Sequence, residues 1–231
     1  MPDPHPSAAA GRLASRPQQG QSWPSARPGV TVLAVTGRRE TLLYVPGGYT
    51  AAHPAPLAVM LHGAGGTAQH GLALLQPLAD AAGLLLLAPS SRGPTWDVIR
   101  GGYGPDVAAL DEALSQVFAA YHVDPARIAL GGFSDGASYA LSLGLMNGGL
   151  FTHILAFSPG FLAPLGREGM PRVFISHGMG DEVLPIDRCS RRLVPQLRAD
   201  GYDLRYDEFD GPHMVPEQVA RDALAWFTAA S

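Results

Sequence analysis

The sequence predicts an α/β fold in which a mostly parallel sheet carries helices on both faces. Strand-length apolar runs recur along the chain, and stretches with helical spacing lie between them, as parallel strands require. Apolar residues make up 46% of the 231 residues, which is enough for a large core. We therefore expect a single domain over residues 30–231, preceded by a mobile, proline- and alanine-rich tail over residues 1–29.

Four strands are predicted in the first half of the domain. Two short β-rich runs separated by a polar turn indicate an antiparallel hairpin at a sheet edge. Two uninterrupted apolar runs are typical of strands buried on both faces. Between these buried strands we expect a helix from its cap at Thr67 to Ala82, kinked or divided by Pro77. The strand ranges are 31–36, 41–45, 57–61 and 84–88.

The second half alternates helices and strands after a long loop at residues 89–104. Apolar side chains from Val107 to Tyr121 recur at helical spacing, so an amphipathic helix is expected from Pro105. No insertion is long enough to form a separate lid domain. Further helices are predicted over 135–146, after Asp187 and over 215–227, and further strands over 128–130, 153–157, 173–176 and 204–209.

The stretch around Ser134 carries the clearest chemical signal. A short apolar run leads into Gly132-Phe133-Ser134-Asp135-Gly136, and a helical stretch of small and apolar residues follows. This is the pattern G-x-S-x-G at a strand-to-helix turn, where a serine sits on a strained bend and its neighbours must lack bulky side chains. The hydroxyl then stands at a helix N-terminus, where free N–H groups favour a developing negative charge.

A serine hydroxyl needs a base before it can act as a nucleophile, and a neutral histidine needs a carboxylate to hold its tautomer. Asp181 and His213 each lie in a loop that follows a predicted strand. Because the carboxyl ends of parallel strands meet at one edge of a sheet, we expect these two side chains to converge with Ser134 there. Asp187 and Asp210 remain alternatives for the acid, although Asp187 also fits a helix cap and Asp210 a turn.

Two backbone N–H groups are needed to bind the negative oxygen of an acyl-transfer intermediate. One is expected from Asp135, the residue after the serine. The other is expected from the glycine-rich loop that begins at His62, with Ala64 the favoured donor and Gly65 the second choice. The carboxylate of Asp135 is interpreted separately, as an acid that complements the helix dipole.

Several aromatic and apolar side chains lie in loops expected at the same edge of the sheet. Packing is the ordinary role of each, but as a group they could form the apolar wall of an acyl or aryl pocket. Two histidines at strand ends, His62 and His177, are expected to satisfy backbone groups of their loops. The candidate wall residues are Trp96, Tyr103, Phe161, Leu184 and Met214.

The motifs LHGAGG, GFSDG, HGMGDEVLP and GPHMVP together resemble the α/β-hydrolase superfamily. Within it they are similar to the phospholipase/carboxylesterase group, which includes acyl-protein thioesterases, dienelactone-hydrolase-like and polyhydroxyalkanoate-depolymerase-like esterases. The resemblance covers roughly Val30 to the C-terminus. The chain departs from the pattern at Asp135, where thioesterase-like members usually carry an amide, and at Met214, where a small polar residue usually follows the histidine.

The resemblance implies a serine carboxylesterase that works through an acyl-enzyme, with Ser134, Asp181 and His213 as its catalytic triad. Its substrates would be small-molecule esters with short to medium acyl or aryl groups, and no cofactor or metal would be required. Two alternatives remain open. One is hydrolysis of a thioester, a lysophospholipid or a polyester oligomer, and the other is a non-catalytic binding protein built on a hydrolase scaffold.

Composition argues against other classes of function. The formal charge of −4 and the lack of a basic block give no reason to expect a nucleic-acid partner. No apolar run is long enough for a membrane span or a secretory signal, which predicts a cytoplasmic protein. The single cysteine, Cys189, is expected to pack, and the histidines lack metal-ligand spacing. A dinucleotide fingerprint at Gly63, Gly65 and Ala68 lacks the acid required after the next strand.

Overall fold

The computed structural model describes residues 6–18, 20, 22–24, 26–37 and 40–229. Within them, eight strands form a single sheet in the order β1-β2-β4-β3-β5-β6-β7-β8. The strands are β1 (Gly29–Leu33), β2 (Thr41–Val45), β3 (Ala55–Leu61), β4 (Leu85–Pro89), β5 (Val123–Phe133), β6 (His153–Phe157), β7 (Arg172–Gly178) and β8 (Leu204–Phe209).

The sheet is antiparallel at one edge and parallel elsewhere. β1 pairs with β2 and β2 with β4 in antiparallel register, whereas every pairing from β4 through β3 to β8 is parallel. The predicted edge hairpin is confirmed, but its first strand ends at Leu33 rather than at Thr36. The N–H of Thr36 instead donates to the carboxylate of Glu112, 2.9 Å away, which draws the chain off the sheet.

Helices cover both faces of the sheet, as predicted. The helices α4, α5 and α6 pack on one face and α2, α3 and α7 on the other, and alternate residues of β3 point to the two sides. Parallel strands buried on both faces explain the uninterrupted apolar runs. The helices are α1 (Pro6–Ala9), α2 (Ala68–Ala73), α3 (Gln76–Ala82), α4 (Pro105–Ala120), α5 (Asp135–Met146), α6 (Ser190–Ala199) and α7 (Glu217–Thr228).

Proline and backbone pairing account for two differences from the predicted elements. The helix expected between Thr67 and Ala82 is divided into α2 and α3. Pro77 lies in the first turn of α3, where backbone N–H groups have no partner within the helix, so its missing N–H costs no hydrogen bond. β5 is longer than predicted because it begins at Val123, which pairs with Ala55 ahead of an irregularity in the β3–β5 register.

The N-terminal segment is packed against the domain between residues 7 and 16, which corrects the expectation of a mobile tail there. Ala8 and Leu13 are buried in the core between the tail and α4. The carboxylate of Asp111 accepts the N–H groups of Ala14 and Ser15 at 2.9 and 2.8 Å. Only Ala8 and Leu13 of this segment enter the core, and the rest of the anchorage comes from hydrogen bonds that hydrophobic patterns do not report.

Asn147, just beyond α5, is the buried anchor of that segment. Its Oδ1 accepts the N–H of Leu13 at 2.9 Å, and its Nδ2 donates to the carbonyls of Gly11 at 2.8 Å and Leu143 at 2.9 Å. Because all these bonds lie in the interior, removing the amide leaves backbone groups of the segment unsatisfied.

The change Asn147→Ala should therefore lower the free energy of unfolding by about 2 to 3 kcal/mol. It should also speed tryptic cleavage after Arg12, since the segment loses its main attachment. Denaturant unfolding and limited proteolysis with mass-spectrometric mapping would measure both effects. Ser115→Ala, an exposed change on the neighbouring helix α4, is the control and should alter stability by less than about 0.5 kcal/mol. Equal behaviour of the two variants would contradict the anchoring role.

Candidate active site

Ser134 occupies a sharp turn between β5 and α5. Its backbone angles are φ 57° and ψ −119°, a conformation that is costly for a residue with a Cβ. The turn is fixed on both sides, because the N–H of Ser134 donates to the carbonyl of Phe157 at 2.9 Å and its carbonyl accepts the N–H of Ser138 at 3.0 Å. The serine is thus held on a strained bend at the carboxyl end of β5.

Gly132 and Gly136 allow three backbones to meet at this turn. A Cβ on Gly136 would lie 2.3 Å from the carbonyl oxygen of Leu61, and one on Gly132 would lie 2.6 Å from the same atom. Neither position could carry a side chain without moving β3 or α5. The glycines of the G-x-S-x-G pattern are therefore required by close packing of β3, β5 and α5.

Asp181 and His213 are hydrogen-bonded across the ends of β7 and β8. The Nδ1 atom of His213 lies 2.5 Å from Oδ2 of Asp181. The other carboxylate oxygen accepts the N–H groups of Val183 at 2.9 Å and Leu184 at 2.8 Å. Burial alone would raise the pKa of Asp181, but the Leu184 N–H and the His213 ring together hold it below its ordinary value. An ionised carboxylate therefore faces Nδ1 of His213 and favours a proton on that nitrogen.

The His213 ring lies beside the turn that carries Ser134. Its centroid is 4.5 Å from the ring centroid of Phe133, the residue directly before the serine. β5, β7 and β8 belong to the parallel part of the sheet, so their carboxyl ends share one edge. The fold thus brings the loops of Ser134, Asp181 and His213 to the same edge.

The two alternative acids make other contacts or face solvent. Asp187 is exposed and accepts a hydrogen bond from Arg191 at 2.8 Å. It does not cap α6 as interpreted from the sequence, because that helix begins at Ser190 and Cys189 is its N-cap. Asp210 lies exposed in the bend after β8.

The glycine-rich loop after β3 lies directly over Ser134. A Cβ on Gly63 would be 3.3 Å from Cβ of Ser134. The ring of His62 fixes the loop, because its Nε2 accepts the N–H of Ser91 at 3.0 Å and its Nδ1 therefore donates to the carbonyl of Gly63 at 2.6 Å. This confirms the expectation that His62 satisfies backbone groups.

The second-choice oxyanion donor is corrected by the structure. The N–H of Gly65 donates to the carbonyl of Pro94 at 2.7 Å, so it is already engaged within the protein. Ala64, the favoured donor, lies in an exposed turn of the same loop. Asp135, the other predicted donor, is the first residue of α5 and stands at its N-terminus as interpreted.

The loop at residues 89–104 contacts both segments that carry the predicted oxyanion donors. The hydroxyl of Thr95 donates to Oδ2 of Asp135 at 2.7 Å. The indole N–H of Trp96 donates to the carbonyl of His62 at 2.9 Å, next to the Pro94 contact with Gly65. The carboxylate of Asp135 thus has a specific partner beyond the helix dipole, a role that the sequence did not indicate.

Two of the five candidate wall residues pack in the interior instead. Trp96 is 2% exposed and stacks on Tyr139 of α5, with ring centroids 5.1 Å apart. Tyr103 is also buried, and its hydroxyl donates to the carbonyl of Ala163 at 2.9 Å. Their prediction as pocket residues is wrong because both rings point towards the helix beneath the loop.

The other three candidates lie nearer the surface. Phe161 and Leu184 are half-buried, and Met214 is 45% exposed beside His213. Gly160, in the loop after β6, lies against the side chain of Leu184, in the loop of Asp181. A Cβ on Gly160 would be 3.2 Å from Cδ2 of Leu184. Leu184 thus stands between these two loops.

Sequence reasoning missed two buried polar groups that support the site. Asp106 accepts the N–H groups of Arg92 and Asp97 at 2.7 and 2.8 Å, and Asp97 accepts the hydroxyl of Tyr139 at 2.9 Å. Burial raises the pKa of Asp106 to about 6. The signal in the sequence was a pair of aspartates that bracket a loop rich in glycine. The second is the contact of His177 with Asp181 at 3.2 Å, although the expectation that His177 satisfies a backbone group is confirmed by its bond to the Leu184 carbonyl.

No arrangement for a metal or a membrane span is found in the described part of the chain. Its His, Cys, Asp and Glu side chains form no group of three or more placed to hold a metal ion. None of its helices is both long enough and apolar enough to cross a membrane.

Comparisons with known proteins agree with this geometry. No family model matches the chain. The crystal structure of esterase PE8 is 26% identical, covers 84% of this chain and 98% of its own, and superposes with a TM-score of 0.65. The fold is that of the α/β-hydrolases. A phospholipase/carboxylesterase from Dyadobacter fermentans, 20% identical, shares this fold with a TM-score of 0.62 over 90% of this chain and 100% of its own.

A curated protein is also similar in sequence. A probable feruloyl esterase C from Aspergillus oryzae is 29% identical over 158 residues, which are 64% of this chain. The chain spans 57% of that relative's length. The resemblance read from the four motifs is confirmed, because the structural neighbours of this α/β-hydrolase are esterases and carboxylesterases. Their names support an ester-hydrolysing enzyme. Within residues 40–229 no large lid domain is inserted between the strands.

The close packing at the serine turn gives a stability prediction. Gly136→Ala should lower the free energy of unfolding by about 3 kcal/mol or prevent folding, because the new methyl group collides with backbone rather than with a movable side chain. Chemical denaturation monitored by circular dichroism would measure the loss. Gly166→Ala, where a Cβ meets nothing within 4 Å, is the matched control and should stay within about 0.5 kcal/mol of the parent. A fully stable Gly136→Ala variant would show that the turn can relax.

Proposed function

We propose that the protein is a serine carboxylesterase that hydrolyses small-molecule carboxylic esters through an acyl-enzyme. The observation that carries the proposal is the 2.5 Å contact between Asp181 and His213 at the sheet edge where Ser134 sits on its strained turn. A carboxylate bonded to Nδ1 leaves Nε2 of the ring as the basic nitrogen, which is the state that a serine nucleophile requires.

The proposed reaction begins when Nε2 of His213 takes the proton of Ser134 as Oγ attacks the ester carbonyl. The carbonyl oxygen becomes an oxyanion that accepts hydrogen bonds from the N–H groups of Ala64 and Asp135. Collapse of this intermediate breaks the bond to the alcohol, which leaves with the proton from His213. Water then attacks the acyl-enzyme with His213 again as base, and the acid and free Ser134 are released.

The substrate class proposed is an ester with a short to medium acyl or aryl group. Phe161, Leu184 and Met214 supply apolar surface near the catalytic loops, and residues 40–229 contain no large lid domain. The likeness to a probable feruloyl esterase supports an aromatic acyl group as one candidate. Comparing aryl and alkyl oxyesters with the matching thioesters, lysophospholipids and polyester oligomers would separate the alternatives by their kcat/KM.

Alanine substitution of the nucleophile or base tests the mechanism. Ser134→Ala and His213→Ala should each lower kcat on a p-nitrophenyl ester by about four to six orders of magnitude, and Asp181→Asn by about four. Asp187→Asn is the control acid and should retain parent activity, since Asp187 pairs only with Arg191 on the surface. Wild-type turnover in Ser134→Ala would reject Ser134 as the nucleophile. A parent protein that a fluorophosphonate fails to label at Ser134 and that hydrolyses no ester would favour a non-catalytic binding protein.

The Thr95 hydroxyl offers a test of the proposed oxyanion site. Thr95→Val keeps the shape of the side chain but removes its bond to Asp135, which holds the loop at residues 89–104 against the N-terminus of α5. We expect kcat to fall about tenfold with KM changed less than about twofold, because a displaced donor weakens transition-state binding more than substrate binding. Thr95→Ser should restore kcat. A change in KM alone would contradict this role for the hydroxyl.

A further inference from the structure

His177 is a buried histidine that the proposed reaction does not use. It lies near the end of β7, four residues before Asp181, and is 0% exposed. Its Nε2 atom is 3.2 Å from Oδ2 of Asp181 and 2.8 Å from the carbonyl oxygen of Leu184. On the other side of the ring, Nδ1 lies 2.7 Å from the hydroxyl of Ser190, the first residue of α6.

These contacts determine which ring nitrogen carries the proton. A backbone carbonyl and a carboxylate can only accept hydrogen bonds, so Nε2 of His177 must be the donor. Burial lowers the pKa of His177 despite the neighbouring carboxylate, which keeps the ring neutral at pH 7. Nδ1 is then an acceptor, and the hydroxyl of Ser190 donates to it. The Ser190 side chain thereby fixes the tautomer of His177.

The His177 ring completes the set of donors around Asp181. One carboxylate oxygen accepts two backbone N–H groups, from Val183 and Leu184. The other oxygen faces two imidazole rings, His213 at 2.5 Å and His177 at 3.2 Å. The single N–H at Nε2 of His177 is shared between this oxygen and the carbonyl of Leu184, which is the nearer acceptor at 2.8 Å. His177 therefore competes with His213 for the same oxygen.

We propose that His177 is a positioning residue for the pair Asp181 and His213. It sets the orientation of the Asp181 carboxylate and weakens the interaction of that carboxylate with the N–H of His213. The inference rests on the proposed serine esterase mechanism and extends the triad to the chain Ser134, His213, Asp181, His177 and Ser190. The N–H of His177 takes part of the negative charge on Oδ2. Less of that charge is then left to interact with the ring of His213.

Other titratable groups surround this chain and must be considered in a pH experiment. Glu208 lies beside His177 in the β7–β8 register and is paired with Arg191, which lowers the pKa of that carboxyl. Cys189 precedes Ser190, and burial raises the pKa of its thiol. Neither group is in the proposed chain, so their titration should be common to the parent and all variants. The groups that face His177 are thus Asp181, His213, Glu208 and Cys189.

Two amide substitutions at His177 distinguish the role of its Nε2 contacts from the role of its Nδ1 contact. His177→Gln places an amide N–H near the position of Nε2 and can still donate to Asp181 and Leu184. His177→Asn places its amide near Nδ1 and keeps only the contact with Ser190. Both are neutral and polar at every pH. The pair therefore differs mainly in whether a donor faces Oδ2 of Asp181.

The test is the pH dependence of kcat and kcat/KM on a p-nitrophenyl ester. In His177→Asn we expect kcat to fall about tenfold, with KM within about twofold and the acid limb of kcat/KM shifted to higher pH. The sign follows because Asp181, with one donor fewer on Oδ2, attracts the positively charged form of the facing imidazole more strongly. His177→Gln should restore kcat to within about threefold and return the acid limb to its parent position.

A merely structural role for His177 predicts a different result. Loosening of the loop would move Asp181 away from His213 and would leave the acid limb in place or shift it to lower pH. Either of those profiles, or a His177→Asn variant with parent kcat, would overturn the proposal. Parent hydrolysis and fluorophosphonate labelling of Ser134 are measured in the same series. If the parent itself fails both, the esterase proposal fails rather than this one.

A second variant keeps the test decisive if His177→Asn does not fold. Ser190→Ala leaves the imidazole in place but removes the donor that fixes its tautomer. We expect a fall in kcat of about threefold and a smaller shift of the acid limb to higher pH, with recovery in Ser190→Thr. An unchanged pH profile in a folded Ser190→Ala variant would contradict the proposed series of hydrogen bonds, because Ser190 would then have no influence on His213.

Discussion

The whole site depends on how closely the backbones of β3, β5 and α5 approach one another. Two glycines permit the contact, and Ser134 between them is left with backbone angles that few side chains tolerate. The cost of that conformation is borne by the packed elements on either side, which cannot separate without exposing a large core. A strained serine on a rigid sheet and helix is thus a product of packing, and its position does not depend on a mobile loop.

The remaining functional groups come from loops, and each loop is fixed by polar contacts. The loop at residues 89–104 is held by the buried carboxylate of Asp106 and by its own half-buried Asp97, and it contacts both predicted oxyanion segments. The loop of Asp181 closes on itself through backbone N–H groups and on β7 through His177. The rigid edge of the sheet and these hydrogen-bonded loops together define a preorganised arrangement, which is the property that electrostatic stabilisation of a transition state requires.

Hydrophobic pattern and turn chemistry predicted the sheet, its edge hairpin and most helices, because buried strands and amphipathic helices leave a direct signature in sequence. The pairing of Asp181 with His213 could be inferred as well, since the order of strands dictates which loops share an edge. The orientation of a side chain within a loop could not. Trp96 and Tyr103 lie in the expected loop, but their rings turn inward, and no periodicity distinguishes the two directions.

Contacts that depend on the path of a loop could also not be predicted from the sequence. His177 meets Asp181 only because the turn over residues 181–184 folds the Leu184 carbonyl back towards β7. The N-terminal segment was mistaken for a mobile tail because its attachment uses backbone hydrogen bonds to Asn147 and Asp111, with only Ala8 and Leu13 inserted into the core. Amino-acid composition does not report hydrogen bonds between a backbone segment and distant side chains.

The attachment of that segment links the two ends of α5. The helix begins next to the nucleophile and ends next to Asn147, so a single rigid helix about 18 Å long joins the turn of Ser134 to the anchor of residues 11–13. A shortened chain that starts near residue 30 would lack the N-terminal segment, so Asn147 at the C-terminal end of α5 would lose its hydrogen bonds with Gly11 and Leu13. Choosing where to begin an expressed chain is therefore also a choice about how firmly the catalytic turn is supported.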